Sequence, residues 1–154
     1  MSVFHQGEVD RAALRQWRLA RVREQLRIAD VAGALQSDPV NIRYATDSTN
    51  MQVWTLHNAA RYCFVATEGP VILFDFTGCE HLSAEIETIT ETRPATAFFF
   101  FGAGPEAEHR VVRWGAEIED LVLAHGGGNR RVAVGVPEPL GDHAPVRMGS
   151  RVYH

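Results

Sequence analysis

Residues 61–66 read RYCFVA, residues 67–70 read TEGP, and residues 71–76 read VILFDF; this stretch decides the fold. Both hexapeptides are rich in the β-branched and aromatic residues that favour strands, and Gly69 and Pro70 separate them. Because a short break of this kind lets the chain reverse between two strands, the pattern predicts an antiparallel β-hairpin.

The segments before the hairpin predict one helix and one strand. Asp10 can cap a helix over residues 11–29, whose apolar side chains spread over one broad face. Residues 31–35 (VAGAL) are apolar and stop at a polar QSDP sequence, which is typical of a short buried strand. Because proline suits the first position of a helix, we expect Asp38 and Pro39 to open a turn or a single helical turn.

The segments after the hairpin predict two strands, a long helix and a final strand. Residues 85–90 alternate unevenly and favour a weak strand. The apolar run AFFFF at 97–101 is typical of a central strand that helices cover on both faces. Residues 105–125 carry apolar side chains three and four positions apart, which predicts an amphipathic helix. Residues 131–136 (RVAVGV) are the last predicted strand, and we expect the remainder to be an edge or tail.

The order of these elements predicts the fold class. A hairpin followed by strand, helix and strand is typical of a mixed sheet with helices on its faces. The chain has 154 residues, and at this length about two thirds of the unfolded surface can be buried in one core. We therefore expect a single α/β domain over residues 1–154, with a mixed five- to six-stranded sheet flanked by helices.

The charge of the chain bears on its partners. The net charge is -4, which argues against a nucleic-acid partner, because phosphate binding needs a concentrated basic surface. All 15 basic residues are arginine. Six of them lie in the first predicted helix, where they form its solvated face or, alternatively, a docking surface for an acidic partner. These six are Arg11, Arg15, Arg18, Arg21, Arg23 and Arg27.

The sequence gives no sign of a targeting or membrane segment. The first residues have neither a basic nor an apolar signal region, and no apolar run approaches the ~20 residues of a membrane span. Cys63 and Cys79 are too few for a disulfide framework, and we expect both to be reduced. We therefore predict a cytoplasmic protein without a membrane partner.

Known catalytic motifs are not visible in the sequence. The seven histidines are scattered, and none belongs to an HEXXH metal motif. Gly102 and Gly104 precede a predicted helix, but Ala107 replaces the third glycine of a dinucleotide motif, and the chain has no lysine for a P-loop. No G-x-S-x-G nucleophile motif occurs, and Cys63 lies in mid-strand, where a thiol is usually inert. We therefore predict no catalytic, cofactor-binding or metal-binding residue in this chain.

Residues 41–58 (NIRYATDSTNMQVWTLHN) are the best candidate for recognition. They are dense in Asn, Asp, Arg, Tyr, Trp and His, and we expect them to form a loop between strands, which is typical of a binding surface. The alternative is a surface loop in which Asn and Asp set the turn geometry and Trp54 packs on the domain.

The sequence DPVNIRY at residues 38–44 resembles the D-P-x-N-I-x-Y signature of the amino-terminal domain in the creatinase, prolidase and Xaa-Pro aminopeptidase family. The order of later segments is similar too, so the resemblance covers residues 11–136 and implies a ribonuclease H-like fold. After Tyr44 the sequence ATDSTNMQ departs from the common LTGF and looks more like a subgroup that includes the dimethylsulfoniopropionate lyase. The core of the motif, Asn41 and Tyr44, is expected to fix the turn, with Tyr44 half buried and hydrogen-bonded. The motif residues are Asp38, Pro39, Asn41, Ile42 and Tyr44.

Proteins of the family that this chain resembles carry a second, "pita-bread" catalytic domain. That domain holds a pair of divalent metals (Mn, Co, Zn or Fe) through two Asp, one His and two Glu, and nothing in this sequence matches that ligand set. The resemblance implies that the chain packs on its own catalytic domain and on a second subunit in a homodimer, where it overhangs the cleft of that subunit. The residues expected along this cleft or dimer edge are Asp47, Asn50, Trp54, His57 and Arg61.

Three functions stay open at this point. The first is a non-catalytic domain of a parent enzyme, either a hydrolase of the Xaa-Pro dipeptidase or aminopeptidase P kind or a related lyase. The second is a free-standing interaction or regulatory domain that lost its catalytic partner and acts through residues 41–58 or the arginine-rich helix. The third is a small enzyme with an unrecognised site.

Overall fold

The computed structural model of the protein describes residues 9–58, 60–98 and 100–135. Five helices and five strands follow each other along this part of the chain, together with the short 3₁₀ helices Glu80–Leu82 and Gly104–Glu106. In chain order they are α1 (Arg11–Ile28), β1 (Gly33–Gln36), α2 (Pro39–Thr46), α3 (Gln52–Thr55), β2 (Tyr62–Ala66), β3 (Val71–Asp75), β4 (Glu91–Pro94), α4 (Phe100–Ala103), α5 (Ala107–His125) and β5 (Val132–Gly135).

The five strands form one mixed sheet in the order β4-β3-β2-β1-β5. β2 is antiparallel to both β1 and β3, whereas β1 pairs with β5 and β3 pairs with β4 in parallel. The predicted hairpin is confirmed, with Tyr62 opposite Phe74 and Cys63 opposite Leu73. The predicted α/β class, a mixed sheet flanked by helices, is confirmed with five strands.

Each face of the sheet buries its own set of apolar side chains. Because side chains alternate along a strand, the two faces of β2 and β3 receive alternate residues, and both strands are buried throughout. Helices α1 and α2 cover one face, and α5 covers the other. The first core contains Leu19, Leu26, Ile42, Cys63, Val65 and Leu73, and the second contains Tyr62, Phe64, Phe74, Ile118, Leu121 and Val122.

The predictions of strands at residues 85–90 and 97–101, just after the hairpin, are wrong. Residues 85–90 form turns, with backbone bonds from Ile86 to Ser83 and from Ile89 to Ile86, and the strand begins only at Glu91. In the AFFFF run, residues 97 and 98 belong to no strand or helix, and residues 100–103 form α4. The chain leaves the sheet after Pro94, and Phe98 packs against the rings of Tyr62 and Trp114 instead. Phe98 therefore packs on the face of the sheet and is not part of a strand.

The segment predicted as a loop at residues 41–58 is largely helical, and the turn predicted at Asp38 and Pro39 continues as the eight-residue helix α2. The Asp38 carboxylate accepts hydrogen bonds from the amides of residues 40 and 41, and Pro39 lies in the first turn. Both residues therefore favour the start of a helix at this position. Burial of Ile42 and Ala45 against the sheet extends this start into two turns. The helices predicted over residues 11–29 and 105–125 and the strand over 131–136 correspond to α1, α5 and β5, while the predicted tail beyond residue 135 lies outside the described residues.

Most arginines of α1 bind other parts of the domain. The Arg15 guanidinium lies 2.8 Å from the Glu87 carboxylate, and Arg27 pairs with Glu68 in the hairpin turn. Arg23 donates to the backbone carbonyl of Gly69 in the same turn. These contacts fasten the helix across the connections between strands. None of the helices within the described ranges is both long enough and apolar enough to cross a membrane.

Candidate functional site

The candidate site is the segment from α2 to the start of β2, and its motif residues have divided roles. Asp38 and Pro39 begin α2, and Ile42 lies in the core. Asn41 is exposed. Tyr44 is 41% exposed, and the Arg18 guanidinium lies over its ring at 5.8 Å. Within the residues that the structure describes, the Tyr44 hydroxyl has no hydrogen-bond partner, so the expectation of a hydrogen-bonded tyrosine is not met.

A buried ion pair lies beneath this segment. The hairpin register that pairs Tyr62 with Phe74 places Arg61 opposite Asp75, on the face that α1 and α2 cover. The Arg61 Nε donates to an Asp75 carboxylate oxygen at 3.0 Å, and each residue is only 1% exposed. Charges removed from water in this way need complete partners, because an unpaired buried charge is costly.

Ser48, Asn50 and Ser83 complete the partners of the ion pair. The Arg61 Nη2 donates to the Ser48 hydroxyl, and that hydroxyl lies 2.6 Å from the hydroxyl of Ser83. The Asn50 side-chain amide donates to the second oxygen of Asp75 at 2.9 Å. We call Ser48, Asn50, Arg61, Asp75 and Ser83 the buried polar cluster. The cluster connects the loop after α2 with the two strands of the hairpin and with the end of the 3₁₀ helix Glu80–Leu82. It therefore fixes the loop that leads into α3.

Asp47 lies at the rim of this cluster and has a structural role. It ends α2 in a left-handed conformation with φ 67°, which Asp tolerates better than most residues. Its carboxylate oxygens lie 3.5 Å from guanidinium nitrogens of Arg15 and Arg18 in α1. Asp47 therefore links α2 to α1.

Trp54 and His57 lie on the outer side of the segment. The Trp54 ring, in α3, packs against Phe76 with ring centroids 5.5 Å apart, and His57 follows α3 with an exposed side chain. The structure thus divides the five predicted edge residues into two groups. His57 is exposed and Trp54 is partly exposed, whereas Arg61 is fully buried and Asp47 and Asn50 are bound to charged groups of the domain.

Sequence reasoning missed Asp75, Ser48 and Ser83. Asp75 had a signal, because it is a charge inside the apolar run VILFDF and lies at the position that the hairpin register pairs with Arg61. The two serines had none, since Ser48 and Ser83 are 35 positions apart and meet only in the tertiary fold.

The described part of the chain shows neither a reactive cysteine nor a cluster of metal-binding side chains. Burial raises the pKa of the Cys63 thiol to about 12, so it stays protonated and unreactive. In residues 9–58, 60–98 and 100–135, no three His, Cys, Asp or Glu side chains come close enough together to hold a metal ion. The ligand set of a divalent metal pair therefore does not fit the side chains described.

A large cavity opens on the other face of the sheet, between α5 and β4, and its volume is about 1220 Å³. We call it the α5–β4 cavity. Arg93 of β4 and Glu117 of α5 approach within 3.6 Å across it. Beside it, burial raises the pKa of Tyr62, although the Thr96 amide donates a 3.0 Å bond to the Tyr62 hydroxyl. Its lining includes Trp54, Phe76, Arg93, Thr96, Arg110 and Arg113.

Comparison with known proteins finds relatives of the chain among dimethylsulfoniopropionate lyases. It is 36% identical over 125 residues to the dimethylsulfoniopropionate lyase DddP of Roseovarius nubinhibens and 35% identical over 125 residues to DddP of Roseobacter denitrificans. Each alignment covers 81% of this chain but 28% of the lyase, so the chain spans less than a third of the length of these relatives. No family model matches the sequence. A proline dipeptidase from Streptococcus agalactiae 2603V has a TM-score of 0.41 and 21% identity, over 51% of this chain and 58% of that one.

Proposed function

We propose that this chain is an amino-terminal domain of the creatinase and prolidase family, related to the DddP lyases, and that it lines the substrate cleft and supports the dimer of a larger parent enzyme. The chemistry of the parent is proposed to be that of a metal-dependent hydrolase or lyase. The divalent metal pair (Mn, Co, Zn or Fe) is proposed to be held by a separate catalytic domain.

The observation that carries this proposal is the uneven coverage of the alignment. Most of this chain aligns with the lyases, yet the aligned region is little more than a quarter of each of them. A region of that size corresponds to one domain, and the larger remainder of such an enzyme has room for the reactive groups. The chain is therefore proposed to contribute binding surface rather than a nucleophile.

Two residues are proposed to contact the substrate or the second subunit. His57 is exposed and Trp54 is partly exposed, and tryptophan supplies a large apolar contact area. Asp47, Asn50 and Arg61 are proposed to support this edge from below, since their polar groups are bound within the domain. A rigid base matters because small displacements of a contact residue lower the efficiency of catalysis.

The test uses the protein that the complete reading frame encodes. Trp54→Ala and His57→Ala are each expected to raise KM or lower kcat severalfold for the substrate of that enzyme. His57→Ala is expected to leave Tm unchanged, whereas Trp54→Ala also removes the packing of its ring on Phe76 and is expected to lower Tm. Val53→Ala is the matched control, because Val53 is the neighbour of Trp54 and is 77% exposed. Kinetics of Trp54→Ala and His57→Ala that match those of Val53→Ala would exclude the cleft-lining role.

The dimer is tested separately by sedimentation equilibrium of the same protein. A homodimer whose dissociation constant rises on Trp54→Ala or His57→Ala supports a role for this edge in subunit contact. A monomer at all concentrations contradicts the dimer.

A second candidate function is that of an interaction domain without its own enzyme. Its support is the exposed surface of α1, where Trp17 is 54% exposed and the Arg21 guanidinium lies 4.9 Å from the centre of the Trp17 ring. The Arg18 guanidinium, also in α1, lies 5.8 Å from the centre of the Tyr44 ring. Tryptophan, tyrosine and arginine are enriched where proteins bind each other. A reading frame that stops at residue 154 favours this function, and one that continues into a metal-binding domain favours the first.

A further inference from the structure

We propose that the α5–β4 cavity binds a small organic anion, in which a carboxylate meets Arg110 and Arg113 and an apolar body lies against Trp54 and Phe76. This inference concerns a site formed within one chain and does not depend on the proposed role in a parent enzyme.

The two arginines lie on the same side of α5. They are three positions apart in an α-helix, so their side chains are neighbours, and both line the cavity. Neither has a carboxylate within ion-pair distance among the described residues. Arg110 makes one long bond, 3.5 Å, to the carbonyl of Ala97. Two neighbouring guanidinium groups without a counter-ion repel each other, and a bound anion relieves that repulsion.

Two of the nearby acidic residues are engaged elsewhere, and a third, Asp120, lines the cavity two turns after Arg113. Glu106, one turn before Arg110, contacts the ring nitrogen of His109 at 3.2 Å. Glu117, one turn after Arg113, faces Arg93 across the cavity. Arg93 is itself bound by both oxygens of Glu91. The charges on the β4 wall are thus paired. On α5, Arg110 and Arg113 together outweigh the single negative charge of Asp120, and neither arginine is within ion-pair distance of a carboxylate among the described residues.

The apolar wall lies at the end of the sheet where β3 and β4 finish. Trp54 and Phe76 pack against each other there, and Ala95 and Ala97 continue the surface toward Arg110. Crevices at the carboxyl ends of parallel strands are common ligand sites in α/β proteins. An anion with an aromatic or aliphatic body matches both walls, whereas a bare inorganic anion uses only the arginines.

The size of the cavity suits a small molecule. Ligand pockets commonly have volumes of about 300–1,000 Å³. The volume of about 1220 Å³ leaves room for a ligand together with bridging water.

The experiment measures binding of 3-phenylpropionate and of its neutral amide, 3-phenylpropanamide, to the 154-residue chain. Titrations followed by ¹H–¹⁵N spectra give the dissociation constants and the residues affected. Loss of charge-assisted hydrogen bonds corresponds to about tenfold or more in affinity. We therefore expect saturable binding of the acid, with binding of the amide at least about tenfold weaker.

Variants assign the binding to the two arginines. Arg110→Gln with Arg113→Gln is expected to weaken binding of the acid at least about tenfold, while leaving binding of the amide unchanged. The matched control is Arg11→Gln with Arg43→Gln, which removes the same charge from exposed positions outside the cavity lining. Circular dichroism and Tm verify that both proteins fold. Equal affinity for acid and amide, equal loss in the control variant, or no saturable binding of the acid overturns the proposal.

Discussion

The same chemical pair, an arginine with a carboxylate, occurs in two different settings in this molecule. Arg61 and Asp75 are buried on the face of the sheet that α1 and α2 cover, with polar partners around them, whereas Arg27 and Glu68 lie at the surface between α1 and the hairpin turn. Water screens the exposed pair in both the folded and unfolded states, so its net contribution to folding is small. The buried pair has no water to replace a lost partner, so its removal leaves an uncompensated charge.

The largest effect is expected from breaking the buried pair at one side. Asp75→Asn keeps the shape of the side chain but leaves the Arg61 charge without a counter-ion, which costs about 3–5 kcal/mol of unfolding free energy. Urea unfolding measures the loss. A loss below about 1 kcal/mol, the level of an exposed pair, contradicts the comparison.

A double variant that removes both charges shows how much of the stability lost in Asp75→Asn comes from the unpaired Arg61 charge and how much from the loss of the ion pair itself. Arg61→Met with Asp75→Leu is expected to recover more than half of the stability lost in Asp75→Asn, because apolar replacements of a buried pair are often tolerated. Labelling of Cys63 is a second readout, since its thiol is fully buried two residues along β2. Cys63 should react with a thiol reagent faster in Asp75→Asn than in the double variant, while Cys79, which is partly exposed, should react readily in both.

A smaller effect is expected when one neutral member of the buried polar cluster is removed. Ser48→Ala deletes the hydroxyl that accepts from Arg61 and contacts Ser83, at a cost of about 1–3 kcal/mol. Thr49→Ala in the same loop is the control, because Thr49 is exposed and its change is expected to stay within about 0.5 kcal/mol. Equal unfolding midpoints for the two variants in urea contradict a role for Ser48 in holding the loop.

The two regions also differ in how much of them the sequence predicts. The hairpin and its register follow from local residue types, and that register alone places Arg61 opposite Asp75. The functional interpretation nevertheless placed Arg61 at an exposed edge, because an arginine near polar residues resembles a surface group until its burial is known. Contacts of Ser48 and Ser83 depend on packing between distant segments, which local propensity does not report.

Similar limits explain the errors in the candidate site and the sheet. Residues 41–58 contain turn-forming Asn and Asp, yet the cap at Asp38 and the burial of Ile42 make α2 helical. Residues 97–101 have the composition of a buried strand, but the edge of β3 is already occupied by Glu91–Pro94. In both places tertiary contacts overrode a correct reading of local preference.

The smallest effect is expected at the surface. The hydrogen bond from Arg27 lowers the pKa of Glu68 in the folded protein. A lowered folded pKa means that this contribution to stability is present above the ordinary Glu pKa of about 4.5 and is lost as pH falls through the lowered value. Arg27→Gln should therefore lower Tm slightly at neutral pH and have no effect in stronger acid. About 0.5 M NaCl should reduce the neutral-pH difference, whereas the loss in Asp75→Asn should persist in salt, because a buried pair is screened less.

The control for the surface pair is Arg21→Gln. Arg21 lies in the same helix and stacks on Trp17, and it has no carboxylate partner among the described residues, so its effect on Tm should not follow the titration of Glu68. Thermal unfolding of the three proteins between neutral pH and pH about 3 gives the comparison, since that range spans the ordinary Glu pKa. If Arg27→Gln and Arg21→Gln change Tm in parallel across this range, Arg27 contributes through the packing of its side chain and not through its charge. The buried and exposed pairs would then differ in apolar contact as well as in their access to water.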